Sequence, residues 1–138
     1  MGTRSVSVVS SPETQSGDWR FWAVAAARSP RVLVFATLAV VSLGLLPLYE
    51  SIWWWDIAMH STNSAVIVAW SFRFRYTPLS ALVLLFGIGV GWEFLEAMTP
   101  HFALMAGDSI DTAGDIVSNT AGWFVATLIR RRVRRLDS

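Results

Sequence analysis

Cysteine and lysine are both absent from this chain of 138 residues, and charged residues of any kind are scarce. Without cysteine, the chain has no disulfide framework and no thiolate that could act as ligand or nucleophile. Charged residues make up 15% of the sequence, against about 25% in soluble domains. Hydrophobic residues contribute 54%, eight residues are tryptophan, and the mean hydropathy is +0.47. This composition favours an integral membrane protein of one domain.

Recognisable catalytic and nucleotide-binding motifs are also missing from the sequence. No HExxH metalloprotease motif occurs, and no serine stands in a recognisable nucleophile setting. The alternating glycines Gly87, Gly89 and Gly91 lie inside an apolar run, where they are typical of helix packing and not of a phosphate-binding loop. Nothing beyond the C-terminal arginines suggests nucleic-acid binding, so we expect no nucleic-acid partner.

Four apolar segments of roughly 20 residues follow one another, and each is long enough to cross a hydrocarbon core of about 30 Å. They are the segments 32–52, 53–72, 78–98 and 110–129. The sequence therefore predicts an all-α fold, an integral membrane four-helix bundle within residues 32–129. Residues 1–17 are predicted to be a flexible cytoplasmic tail, and residues 130–138 a basic one. Residues 18–31 form either an interfacial helix at the membrane surface or the start of the first span.

The placement of arginine orients the four predicted spans. Arginines precede the first span, separate the second from the third and follow the fourth, so all of them fall on one side. The positive-inside rule makes that side cytoplasmic, with both termini inside. Seven of the ten acidic residues fall at the opposite end of the spans: Glu50, Asp56, Glu93, Glu96, Asp108, Asp111 and Asp115. We therefore expect a multi-pass protein of the cell membrane, the plasma or inner membrane.

Two sets of residues are predicted to contact lipid, and four glycines are predicted to pack helices. Three consecutive tryptophans are typical of an aromatic belt at a membrane interface; they are Trp53, Trp54 and Trp55. The arginine run after the last span can bind anionic lipid headgroups, although an ordinary cytoplasmic stop anchor is the favoured explanation; it includes Arg130, Arg131 and Arg132. Small residues let helices approach closely, and this role is assigned to Gly87, Gly89, Gly91 and Gly122.

Polar residues form three clusters near the extracytoplasmic ends of the predicted spans. Asp56 and His60 are four residues apart at the start of the second span. The other two clusters are the pair Glu93 and Glu96 at the end of the third span, and the stripe Asp108, Asp111, Asp115 and Asn119 at the start of the fourth. Residues three and four apart share a helix face. Because carboxylates are costly in hydrocarbon, these faces are expected to line protein or a water-filled cavity.

These clusters allow two chemical interpretations and one structural one. Carboxylates with a histidine form a suitable ligand set for a divalent cation, and no other cofactor is suggested. Paired carboxylates can also act as a general acid and base. The structural alternative is helix capping, which is a sufficient role for Asp56, Asp108 or Asp111. Glu93 lies near a helix C-terminus, where the macrodipole disfavours it, so it is expected to need a partner such as His60.

The order of the motifs resembles the VanZ-like and YjdF-like families of small polytopic membrane proteins from prokaryotes. The resemblance covers about residues 53–125 and rests on three motifs, Asp56 and His60, then Glu93 and Glu96, then Asp108, Asp111, Thr112, Asp115, Asn119 and Gly122. The pattern is nearer to the YjdF-like family, because Ile57 stands where VanZ-like proteins tend to have lysine. The resemblance implies a polytopic helical fold with an acidic polar centre, and it supplies no substrate.

Three functions fit these observations. The first is a binding or accessory subunit of a larger membrane complex or homo-oligomer, held together by its polar centre. The second is an intramembrane hydrolase that uses a metal or a carboxylate pair on an envelope lipid or lipid-linked substrate. The third is a cation or proton transporter, for which four short spans without an internal repeat are the least suitable architecture. The sequence favours the first function and leaves open whether the protein is an enzyme.

Overall fold

The computed structural model describes residues 24–26, 28–49, 51–98 and 109–136, and every regular element within these ranges is helical. Four helices carry the fold: α1 (Pro30–Gly44), α2 (Trp55–Arg73), α3 (Pro78–Met98) and α4 (Ser109–Leu136). The predicted all-α class is therefore confirmed. The predicted tail 1–17 and half of the segment 18–31 lie outside the described residues, although residues 24–26 and 28 are helical.

Helix α1 is shorter than the span predicted over residues 32–52. It begins with proline at its first position, where the missing N–H costs nothing, and it ends at Gly44 after 15 residues. Pro47 cannot donate a backbone hydrogen bond, so the helix cannot continue regularly through it. The Tyr49 hydroxyl instead donates to the Gly44 carbonyl at 3.0 Å and satisfies the helix end. The predicted span is therefore wrong at its C-terminal end.

A tight turn over residues 74–77 reverses the chain between α2 and α3. Arg75 has a φ of 68°, the left-handed conformation that closes a Schellman motif, and its N–H bonds to the Phe72 carbonyl at 3.1 Å. Thr77 and Ser80 then form a reciprocal cap, in which each side-chain oxygen accepts the backbone N–H of the other residue. The α2–α3 pair is therefore fixed by local hydrogen bonds.

Side-chain contacts show that consecutive helices alternate in direction. Trp70 Nε1, late in α2, donates to Thr37 Oγ1 in the middle of α1 at 2.9 Å. Trp123 Nε1, in the second half of α4, donates to the carbonyl of Pro78 at the start of α3 at 2.8 Å. Helix α2 is central, since it contacts the other three helices and packs most extensively against α4. As a result, the ends of α2 and α4 that carry arginine lie together, away from Asp56.

In the described part of the chain, the interior of the bundle is as much polar as hydrophobic, and much of the surface is apolar. The buried polar residues are as numerous as the buried hydrophobic ones: Ser64, Ser71, Asp115, Ser118 and Thr127, against Met59, Val68, Ala81, Leu85 and Ala126. Large hydrophobic side chains face outward on α1, α3 and α4, with exposed fractions of 74% at Phe35, 69% at Val90 and 69% at Val117. Soluble monomers rarely expose large contiguous apolar patches. The polarity is thus inverted relative to a soluble domain.

One helix in the described part of the chain is long and apolar enough to cross a membrane, over the window Pro78–Leu95 of α3. Helix α1 is apolar but shorter. Helix α2 carries polar residues such as Asp56 and His60, and α4 continues through five arginines to Leu136. These residues lower the average hydropathy of helices that are otherwise long enough. Length and composition therefore support one of the four predicted spans.

Candidate functional site

Three side chains converge between the first turns of α2 and the first half of α4. His60 Nε2 lies 3.4 Å from Asp56 Oδ1 and 3.3 Å from Asp115 Oδ2. One ligand atom from each residue lies within 4.8 Å of the other two. Asp115 is buried, with 7% of its surface exposed, whereas Asp56 and His60 are half-buried. We call these three residues the Asp–His–Asp centre.

Helical spacing and the register between two helices build this centre. Asp56 and His60 are one turn apart on α2, so both side chains point along the same face. Asp115 comes from α4, which runs parallel to α2. The parallel direction follows from matched contacts, with His60 against Asp115 at one level and Ser64 against Asn119 one turn further along both helices. The centre is therefore a product of tertiary register as well as local spacing.

A continuous polar contact between α2 and α4 extends from the centre into the bundle. The Ser64 hydroxyl donates to Asn119 Oδ1 at 2.5 Å, and Ser64 is almost fully buried. Beyond it, Gly122 lies against the backbone of α2. A Cβ at Gly122 would overlap the Ser61 carbonyl oxygen and approach Ser64 Cβ to 2.8 Å. Glycine at this position thus permits the close packing that brings Asp115 to His60.

Glu93 lies in a different contact from the one expected. Its Oε2 accepts a hydrogen bond from Thr112 Oγ1 at 2.9 Å, which joins the end of α3 to the start of α4. The predicted partner His60 lies beside the two aspartates on α2 and α4 instead, at 3.4 and 3.3 Å. The polar residues therefore form two groups, the Asp–His–Asp centre between α2 and α4 and the Glu93–Thr112 pair between α3 and α4.

A partly open cavity of about 150 Å³ separates α3 from α4 next to both groups. Each helix contributes polar and apolar residues to the lining, which consists of Leu85, Phe86, Gly89, Val90 and Glu93 from α3 and Thr112, Asp115, Ile116, Asn119 and Thr120 from α4. Asp115 belongs both to this lining and to the Asp–His–Asp centre. The buried carboxylate is thus shared by two adjacent features.

The other predicted packing and interface residues have varied surroundings. A Cβ at Gly89 would meet Asn119 Nδ2 at 3.7 Å, whereas a Cβ at Gly87 or Gly91 would meet nothing within 4 Å in the described part of the chain. Trp53 and Trp54 are exposed, and Trp55 is half-buried, with its ring 6.0 Å from that of Trp54. The side chains of Glu96 and Asp111 and the whole of Asp108 lie outside the described residues.

The arginines after the predicted fourth span continue α4. Arg130 packs its guanidinium 4.1 Å from the centroid of the Phe72 ring and donates to the Tyr76 carbonyl at 2.9 Å. Burial, and then the charge of Arg134, lowers the pKa of Arg130 from its ordinary value. Arg131 and Arg132 are exposed. Of the three predicted lipid-facing arginines, Arg130 therefore also serves to hold α4 against the α2–α3 turn.

Two residues of the site were not among the predicted ligands. Ser64 lies four residues after His60, so the spacing that selects Asp56 and His60 also selects Ser64 when it is extended by one turn. Thr112 lies three residues before Asp115 and belongs to the third motif of the family resemblance. Both residues could therefore have been found in the sequence as hydroxyl side chains that share a helix face with the predicted charged residues.

The spacing of the Asp–His–Asp centre suits a coordinated cation. Charge-assisted N–H···O hydrogen bonds are usually about 2.7–2.9 Å long, and both contacts of His60 Nε2 exceed this length. The edge of a tetrahedron with metal–ligand bonds of about 2.0–2.1 Å measures about 3.3–3.4 Å. Two carboxylates and one imidazole are ligands that Zn²⁺ accepts. The donor set, and the two distances from His60 Nε2, therefore match those of a three-residue metal site.

Comparison of the chain with family models, with curated proteins and with solved structures finds no match.

Proposed function

We propose that the chain is a four-span membrane protein of the cell membrane, with both termini in the cytoplasm. The inverted polarity of the bundle carries this proposal, because apolar side chains toward lipid and polar side chains between helices are the arrangement a bilayer requires. The alternating helix directions support it as well. Arginines at the start of α1 and the ends of α2 and α4 then lie on one side, as the positive-inside rule expects.

The proposed biochemical role is cation binding in a binding or accessory subunit of a membrane complex or homo-oligomer. The single observation behind it is the convergence of Asp56, His60 and Asp115 within 4.8 Å. A divalent cation, with Zn²⁺ the best match to the spacing, would join α2 to α4 at the end opposite the arginines. The close α2–α4 contact at Gly122 favours this structural use of the site.

The second candidate function is an intramembrane hydrolase of an envelope lipid or lipid-linked substrate. Three protein ligands leave a fourth position at which Zn²⁺ can activate water. The specific observation in its favour is that Asp115 also lines the cavity between α3 and α4, where a substrate group would be accommodated. Membership of the VanZ-like or YjdF-like families is proposed on the motif resemblance alone.

Single-cysteine labelling tests the proposed topology, and the cysteine-free chain supplies an unlabelled background. Ser51→Cys lies in the α1–α2 connection and Tyr76→Cys in the α2–α3 turn, and both side chains are exposed. An impermeant maleimide is expected to label Ser51→Cys in intact cells and Tyr76→Cys only after permeabilisation. Equal labelling of the two variants in intact cells would contradict the four-span arrangement.

Metal analysis by mass spectrometry tests the proposed cation site in detergent-purified protein. The wild type is expected to carry one equivalent of a divalent metal, and Asp56→Asn and Asp115→Asn are expected to lose it. Glu93→Gln is the matched control, because Glu93 is bonded to Thr112 and lies outside the centre. A metal-free wild type, or equal metal in the aspartate variants, would refute the site. Lipid-phosphate or ester hydrolysis by the metal-loaded form alone would favour the second candidate.

A further inference from the structure

The cavity between α3 and α4 is amphipathic, and its charge has one sign. Two carboxylates line it, from Glu93 and Asp115, and no cationic side chain is among its lining residues in the described ranges. Leucine, phenylalanine, valine and isoleucine side chains make up its apolar lining. A carboxylate beside apolar surface in a membrane is costly unless a partner compensates it. Asp115 lies beside His60, whereas Glu93 accepts a hydrogen bond from the neutral hydroxyl of Thr112. The charge of Glu93 therefore suits a ligand that is cationic at one end and apolar at the other.

The hydrogen bonds that the polar lining residues already make restrict the class of ligand further. The hydroxyl of Thr112 donates to Glu93, and the hydroxyl of Thr120 donates to the Ile116 carbonyl at 2.7 Å. Each hydroxyl has a single proton, so both oxygens can offer a ligand only acceptor lone pairs. The carboxylate of Glu93 is likewise an acceptor when ionised. These three acceptor groups therefore favour a ligand that supplies N–H or O–H donors as well as positive charge.

The size and position of the cavity indicate which part of the ligand it holds. Its volume of about 150 Å³ equals that of an engineered protein cavity that accommodates benzene, so it takes a headgroup and the first carbons of a chain. Val90 and Ile116, which line it, are exposed on the outer faces of α3 and α4. On the proposed topology those faces contact lipid tails, so the rest of an alkyl chain would continue there.

We propose that this cavity binds the primary ammonium group of a membrane amphiphile, with Glu93 as its counter-ion. The ammonium would donate to the Glu93 carboxylate and to the oxygens of Thr112 and Thr120, while the alkyl chain contacts Val90 and Ile116. Trimethylammonium has charge but no N–H donor, and sulfate has the wrong charge. The site should therefore select an amine by its donors as well as by its charge.

Native mass spectrometry of the full chain in a non-ionic detergent tests this proposal with three probes of equal chain length. Dodecylammonium is expected to form a 1:1 complex, with about tenfold weaker binding of dodecyltrimethylammonium and none of dodecyl sulfate. Equal binding of the three probes to the wild type would overturn the proposal, and this comparison needs no variant.

Two variants separate this site from the proposed cation site. Glu93→Gln, which keeps the side-chain shape, is expected to weaken dodecylammonium binding about tenfold or more while the metal content stays unchanged. Asp56→Asn is expected to lose the metal and to keep dodecylammonium, because Asp56 does not line the cavity. Unchanged dodecylammonium binding in Glu93→Gln would refute the amine site whatever the metal analysis gives.

Discussion

Replacing Gly122 by alanine is expected to destabilise the bundle, because α4 approaches α2 at this residue with no room for a side chain. A Cβ at Gly122 would overlap the Ser61 carbonyl oxygen, and it would lie 2.8 Å from Ser64 Cβ and 3.0 Å from the Ala65 nitrogen. Two of these three atoms belong to the backbone of α2, so no rotamer change can relieve the overlap. The two helices must separate instead.

The size of the effect follows from that separation. Carbon atoms in contact lie about 3.5–4.0 Å apart, so the helices would have to separate by about 1 Å at this level. Overpacking of a tight site costs about 1–3 kcal/mol. The Ser64–Asn119 hydrogen bond would lengthen as well, and such bonds between membrane helices contribute about 0.6 kcal/mol. Alanine offsets about 0.8–1.0 kcal/mol through its helix propensity. The expected net loss is about 0.6–2.8 kcal/mol.

Equilibrium unfolding of the detergent-solubilised protein by SDS measures this loss as a change in the free energy of unfolding. Gly114→Ala on the same helix is the matched control, because its Cβ would have nothing within 4 Å in the described part of the chain. The control is expected to be as stable as the wild type or more stable, by up to about 1 kcal/mol. If Gly122→Ala unfolds at the same SDS fraction as Gly114→Ala, the close α2–α4 packing is refuted.

Three smaller changes test other contacts by the same unfolding assay. Ser64→Ala removes the hydrogen bond to Asn119 and is expected to cost about 0.6–1.7 kcal/mol, and an unchanged free energy would mean that this bond does not join the helices. Trp123→Phe keeps an aromatic ring but loses the donor to the Pro78 carbonyl, so the free energy of unfolding is expected to fall by about 1 kcal/mol. An unchanged value would mean that water satisfies that carbonyl. Arg75→Gly removes the steric cost of a side chain at a left-handed φ and is expected to raise the free energy of unfolding by about 0.5–1 kcal/mol. A lower free energy of unfolding would show that contacts of the arginine side chain outweigh that cost.

The helices could be predicted from the sequence to different degrees. The predicted bounds of α3 agree with the structure, because Pro78 sits at its first position and an unbroken apolar run follows. The end of α1 could not be predicted from hydropathy, since apolar residues continue beyond Gly44. What ends that helix is a proline three residues later and a hydrogen bond from Tyr49, and the second of these depends on how the chain folds back.

The candidate site could be predicted in its parts but not in its pairing. Helical spacing places Asp56 and His60 on one face and selects the stripe that contains Asp115. Whether the Asp56–His60 face of α2 meets the Asp115 stripe of α4 depends on the parallel register of the two helices. Close packing at Gly122 sets that register. Glu93 is an example. Its position near the C-terminus of α3 indicated that it needs a partner, but the spacing along α3 cannot show whether that partner is His60 on α2 or Thr112 on α4.

X-ray absorption at the zinc K-edge, on protein loaded with one equivalent of Zn²⁺, tests the central claim most directly. If the Asp–His–Asp centre is a cation site, the spectrum should contain one nitrogen and at least two oxygen ligands at about 2.0–2.2 Å, with the outer-shell scattering of one imidazole. His60→Gln should lose the imidazole scattering. A wild-type spectrum with oxygen ligands alone and no imidazole scattering would contradict the account.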